Sequence, residues 1–204
     1  ALGALLAPLL PAPMLEWQSG HETQLWRWVT ASFVHHSPAH LLANLAGCAA
    51  VSAFVLSARL PSGTAWSWWI AWPLGNGLLA LWPEVARFGG ASGTLHAGLA
   101  AAAVVLACTG RSRRRVVGLC VLGGLAAKTW LEQPWVQAIR FSDELGIPVA
   151  VAAHLCGVLS GVAGALAVLG LAALRRAQPP RCAQCGFGHG GSVPGAPHPE
   201  GDKR

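Results

Sequence analysis

Apolar residues run in blocks at 1–14, 38–58, 65–83, 92–109, 116–133 and 148–174, separated by short segments that carry most of the charge. A bilayer span needs about 20 such residues, with a range of roughly 17–25. Five blocks are long enough, and the first reads as the end of a truncated helix. That block lacks a positively charged start, so it is not read as a cleaved signal peptide. The pattern predicts an all-α membrane protein of six transmembrane helices over 1–175. Residues 176–204, rich in proline and glycine, read as a disordered cytoplasmic tail. Block 65–83 holds Trp66, Trp68, Trp69, Trp72 and Trp82. Tryptophan favours the lipid–water interface, so several of these residues are expected to mark the ends of that span.

Composition agrees with lipid as the solvent. Hydrophobic residues make up 53% and charged residues 11%, against roughly 25% charged in a soluble domain. The net charge of +6 does not point to nucleic acid, because the basic residues sit in clusters between apolar runs and not along one polar face. The loops at Arg59 and at Arg111, Arg113, Arg114 and Arg115, with the tail, hold ten of the 14 basic residues. The opposite loops carry Glu16, Glu22, Glu84, Asp143 and Glu144. The positive-inside rule then puts both termini of a multi-pass membrane protein in the cytoplasm. Cys48, Cys108, Cys120 and Cys156 lie in apolar blocks and Cys182 and Cys185 in the tail, so no disulfide framework is expected. With no soluble domain left over, any chemistry falls to the helices and their loops.

Ionisable and strongly polar residues inside spans are costly and point to function. His40, Asn44, Ser92 and His154 stand out, followed by His96 and Lys128. At a rise of about 1.5 Å per residue, His40 lies about 28 Å above Arg59, Ser92 about 28 Å above Arg111, and His154 about 31 Å above Arg175. Three helices thus bring polar groups to one layer, in the outer third of a core about 30 Å thick. His40 and Asn44 share a helical face, as do Ser92 and His96. His154, Gly157 and Gly161 form one small-residue stripe, and Gly93, Ala97 and Ala101 another, so the fourth and sixth spans are expected to touch there. A serine needs a base at hydrogen-bond distance to become a nucleophile, and His154 can be that base for Ser92. Gly90 and Gly93 flank the serine and permit a sharp turn and close substrate approach. The backbone N–H of Ser92 at a helix start, with His40 and Asn44, can donate to a developing oxyanion. No carboxylate is apparent to orient His154, so the expectation is a Ser–His dyad.

These residues resemble the rhomboid intramembrane proteases. The family pattern is matched by His40-Leu-Leu-Ala-Asn44, Gly90-Ala-Ser92-Gly93 and His154-Leu-Cys-Gly157-Val-Leu-Ser-Gly161. Trp26-Arg27 in the first outer loop, and His35 ahead of His40, also look like the family. Ser92-Gly-Thr-Leu-His96, the compact six-span size and Lys128-x3-Glu132 are most similar to the rhombosortase subgroup. His96 stands where many rhomboids carry a tyrosine, and this chain has no tyrosine. Gly89-Gly90-Ala91 departs from the bulkier residue expected before the serine. The resemblance implies a serine endopeptidase without a cofactor. It also implies single-span substrates carrying a Gly-Gly motif, a transmembrane helix and a basic tail, cut in the bilayer of a bacterial inner membrane with the site opening toward the periplasm.

Other readings stay open at this stage. The chain can be an inactive rhomboid-like scaffold for single-span clients, or a small transporter, although no internal repeat supports the latter. His96 either stacks on His154 or is a satisfied core histidine. Lys128 either pairs with Glu132 or snorkels outward. Trp26 and Arg27 anchor the first loop rather than touch substrate. His36-x3-His40 lacks the glutamate and third ligand of a metalloprotease site, and Cys182-x2-Cys185 with His189 falls short of a zinc set, so no metal is assigned.

Overall fold

The computed structural model describes residues 11–177. A helical turn, α1 (Ala12–Leu15), leads into strand β1 (Trp17–Gln18) and a short helix α2 (Arg27–Thr30). Five long helices follow: α3 (Pro38–Ser57), α4 (Gly63–Gly77), α5 (Ser92–Thr109), α6 (Arg113–Glu132) and α7 (Val151–Ala177). Of these, α3, α5 and α7 are long and apolar enough by themselves to cross a membrane. Most of the block expected to form the first span, most of the tail, and the set Cys182, Cys185 and His189 lie outside the described residues.

Boundaries follow local chemistry. Pro38 occupies the first turn of α3, and the Ser37 hydroxyl accepts from the His40 N–H at 3.1 Å, an N-cap that satisfies one of the free donors of the helix start. The same hydroxyl donates to the Leu145 carbonyl at 2.9 Å. Pro73 lies inside α4, and the chain tightens into a 3-10 turn at Leu78–Leu81, so this element is shorter than the expected span at 65–83. Helix α6 stops because Gln133 adopts a left-handed conformation (φ 45°), its N–H capping the carbonyls of Thr129 and Trp130, and Pro134 follows.

Two small β elements interrupt the expected all-α fold. β1 pairs antiparallel with β2 (Arg87–Phe88), Trp17 opposite Phe88. β3 (Ile139–Ser142) and β4 (Ile147–Ala150) form a hairpin in which Ile139 faces Ala150. The hairpin runs straight into α7, so the last helix starts at Val151 and not at 148. Gly146 has φ +65° at its turn, a conformation glycine adopts without strain.

The centre of the bundle is α5. It packs most extensively on α7 and also on α4 and α6, and it is built largely from alanine and glycine, with Ala97, Ala100, Ala101, Ala102 and Ala103 fully buried. The expected small-residue contact is present. A side chain on Gly157 would collide with the Gly93 carbonyl, and one on Gly161 with the Ala97 carbonyl. Backbones that approach this closely exchange many dispersion contacts without a hydrophobic driving force, which lipid does not supply. Helix α3, by contrast, buries only His40, Asn44 and Val51, a polar pair and a valine facing α5.

The tryptophans of α4 depart from the interfacial expectation. Trp66 and Trp69 are exposed, but Trp68 and Trp72 turn inward. Trp68 Nε1 donates to the Thr94 carbonyl, and Trp72 Nε1 donates to Ser32 Oγ, each at 2.8 Å. Asn76 Nδ2 donates to the Trp28 carbonyl at 2.7 Å and to Ser32 Oγ at 3.1 Å, while Ser32 Oγ lies 2.8 Å from Thr94 Oγ1. This buried network ties the first loop and α4 to the first turn of α5. An indole N–H inside lipid needs an acceptor, and the neighbouring elements provide it.

Candidate active site

Each polar residue singled out by depth arrives at one place for a separate reason. Ser92 is the first residue of α5, held there by a loop whose Gly90 N–H donates to the Ala31 carbonyl at 2.9 Å. Gly90 has φ +136°, and a Cβ on it would lie 2.7 Å from the His40 ring. Glycine is therefore required both by conformation and by the approach of His40. His154 lies one turn into α7, directly above the Gly157 contact with α5. That contact sets the distance from His154 Nε2 to Ser92 Oγ at 3.1 Å, within hydrogen-bond reach.

His40 and Asn44 are 6% and 5% exposed. His40 Nδ1 and Asn44 Nδ2 have no hydrogen-bond partner among the described residues. Buried polar groups are normally paired, and exceptions call for a reason. Both side chains line a cavity of about 460 Å³ that also contains Ser92, His96, Lys128 and His154 and is walled mainly by α3 and α5. A second cavity, of about 470 Å³, reaches Ser92 and His40 from the loop side and is bordered by Glu16, Arg87 and β4. Ser92 is thus reached both from the loop surface and from between two helices.

His35 supports His40 from behind, with ring centroids 5.0 Å apart. Its Nδ1 donates to the Phe33 carbonyl at 3.1 Å. Burial lowers the His35 pKa from its ordinary value; the bond to Phe33 works the other way without reversing that direction. Arg27 is buried and donates to the carbonyls of Pro13 and Glu16 at 2.7 and 2.6 Å. It therefore ties the first loop together, while the neighbouring Trp26 is exposed. Among the described residues no group of three or more histidine, cysteine, aspartate or glutamate side chains is placed to hold a metal.

His96 stacks on His154, with ring centroids 4.4 Å apart and 15° between planes. Its Nδ1 donates to the Ser92 carbonyl at 2.7 Å, so the ring is both stacked on His154 and satisfied by a backbone acceptor.

The expectation that no carboxylate orients His154 is corrected by Glu132. Its two oxygens lie 3.0 and 2.9 Å from His154 Nδ1. Lys128, one turn earlier on α6, forms an ion pair with the same carboxylate, so Lys128 is paired and not merely snorkelling. The spacing Lys128-x3-Glu132 was visible in sequence. What was not visible is that α6 stops at Gln133 with its last turn against α7. A glutamate in an apolar block, just before a proline, was the signal available.

A family model for the Rhomboid domain matches residues 22–171. The chain belongs to the rhomboid family. No curated protein and no solved structure matches it. Rhomboid proteins are membrane proteins that act on transmembrane substrates, and they are generally intramembrane serine proteases. The match takes in α2 to α6, strand β2, the β3–β4 hairpin and α7 as far as Leu171, so the site residues from His40 to His154 all fall within the rhomboid domain.

Proposed function

We propose that this rhomboid is an active intramembrane serine endopeptidase with Ser92 as nucleophile and His154 as base. The observation that carries the reading is the 3.1 Å separation of Ser92 Oγ and His154 Nε2, beside a cavity also lined by His40 and Asn44, each with a side-chain nitrogen that has no partner among the described residues. In this reading Ser92 attacks the scissile carbonyl as His154 takes its proton. The oxyanion is received by the Ser92 N–H, His40 and Asn44, donors already in place before the charge develops. His154 then returns the proton to the leaving amine. Gly93, Gly157 and Gly161 keep nucleophile and base in register, Gly90 admits His40, and His96 holds the face of the base.

The substrate class rests on the likeness to rhombosortases, and access and helix physics support it. The cavity along α3 and α5 supports entry of a single-span segment from the lipid side. A helix must unwind before its peptide bond can be attacked, and each glycine costs roughly 1 kcal/mol of helix propensity relative to alanine. A Gly-Gly motif ahead of a transmembrane helix and a basic tail is therefore a suitable site, as in rhombosortase substrates. The charge pattern supports a bacterial inner membrane, with cytoplasmic termini and release of the product toward the periplasm.

The test is cleavage of a Gly-Gly, single-span, basic-tail substrate in proteoliposomes by the wild type and by Ser92→Ala. The expected result is cleavage by the wild type alone. Cleavage retained by the variant refutes the assignment of Ser92. If neither cleaves, labelling with a fluorophosphonate separates the alternatives. A reactive Ser92 means that the substrate class is wrong, and an inert one favours the inactive scaffold.

A further inference from the structure

We infer that Glu132 is a positioning residue for His154, so that the reacting unit is Ser92–His154–Glu132 with Lys128 as its counter-charge. This rests on the serine-protease reading above. A neutral imidazole carries one ring proton, and the nitrogen that holds it decides whether Nε2 can act as a base. Two groups compete at His154 Nδ1. The Glu132 carboxylate, at 2.9 Å, can only accept. The Lys128 ammonium, at 3.4 Å, can only donate. The carboxylate is closer and holds the proton on Nδ1, which leaves the Nε2 lone pair facing Ser92. Were Lys128 to prevail, Nε2 would carry the proton and could not accept another.

The ion pair between Lys128 and Glu132 settles that competition. It occupies the ammonium and holds the carboxylate in place on the last turn of α6. The side chain of Lys128 is 45% exposed and that of Glu132 19%, so the cation sits on the outer side and the carboxylate faces inward. When Ser92 attacks, its O–H bond breaks, the proton passes to Nε2, and the Oγ–carbon bond forms. The resulting imidazolium faces the negative charge of Glu132. As the peptide C–N bond breaks, Nε2 gives the same proton to the leaving amine. Glu132 takes no proton at any step. The other titratable groups around His154 are accounted for: His96 stacks on its face with Nδ1 turned to the Ser92 carbonyl, and His40 approaches from α3 across the shared cavity.

The experiment is the pH dependence of kcat/KM for full-length wild type, Glu132→Gln and Lys128→Met in proteoliposomes. Glu132→Gln keeps the shape and removes the charge. It is expected to lower kcat on the order of 10²–10⁴-fold with KM within about twofold, as expected when the base loses its orienting carboxylate. Its acid limb should move to lower pH, because the imidazolium has lost its counter-charge. Lys128→Met leaves the carboxylate uncompensated, so its acid limb should move to higher pH. A packing role would not move the two profiles in opposite directions.

An acid limb unmoved in both variants, or moved the same way in both, overturns the inference. So does a kcat for Glu132→Gln within about threefold of wild type. If Glu132→Gln does not fold, Lys128→Met decides by itself, and an unmoved limb there overturns the inference. Cleavage by the wild type that does not depend on Ser92 overturns the protease reading and this inference together. Ser92-dependent cleavage with unaltered variants overturns this inference alone.

Discussion

Replacing Asn44 by leucine should make the protein more stable and less active. Asn44 is 5% exposed, and its amide nitrogen has no partner among the described residues. A buried donor left unpaired costs roughly 1–3 kcal/mol. Leucine has a similar branched shape, removes the donor, and adds apolar contact in a cavity lined by Leu95, Leu99 and Val51. The folded state should therefore gain about 1–2 kcal/mol. The transition state should lose an oxyanion donor, worth about 2.7–4 kcal/mol, or roughly 10²–10³ in kcat. Thermal unfolding in detergent, followed by tryptophan fluorescence, reads the first effect. Initial rates of substrate cleavage in proteoliposomes read the second, with KM little changed. A kcat within about threefold of wild type would refute the reasoning. A joint fall in stability and activity would reduce Asn44 to interhelical glue.

Two further predictions concern the scaffold. Gly157→Val places a branched side chain against the Gly93 backbone, so α7 must move away from α5. Unfolding measurements should show a loss of about 1–3 kcal/mol, and fluorophosphonate labelling should slow because His154 leaves Ser92 with it. Ser32→Ala strips the acceptor from Trp72 Nε1 and one acceptor from Asn76 Nδ2. It should lower unfolding stability by at least about 2 kcal/mol, although Ser32 touches no reacting group. A change below about 0.5 kcal/mol would mean that the network relaxes onto other acceptors.

Much of the site was legible in the chain because a membrane restricts where polar residues can sit. Lipid penalises His40, Asn44, Ser92 and His154 so heavily that their presence inside apolar blocks already marked them. A helix of known rise then placed them at a common depth. The glycine and alanine stripes likewise pointed to the α5–α7 contact, since small residues are what allow two backbones to meet in lipid. The block boundary at 38 coincides with the Pro38 start of α3, while the end of α6 depends on the left-handed cap at Gln133.

Other features depended on tertiary structure. Nothing local in Ile139–Ser142 and Ile147–Ala150 forced a hairpin. The two strands are short, and each pairs because the other lies beside it. Trp68 and Trp72 face inward and Trp66 and Trp69 outward because Thr94 and Ser32 offer acceptors on one side only, which depends on how α4 and the first loop lie against α5. Glu132 and His96 belong to this group as well. Sequence spacing put Lys128 beside Glu132 and His96 beside Ser92, but neither spacing says which residue of another helix lies opposite. The sequence by itself determined which residues lipid would not tolerate alone and how deep they lie. The packing of α5, α6 and α7 decided which of them meet, because a rotation of one helix redirects a side chain by several ångströms without changing its depth.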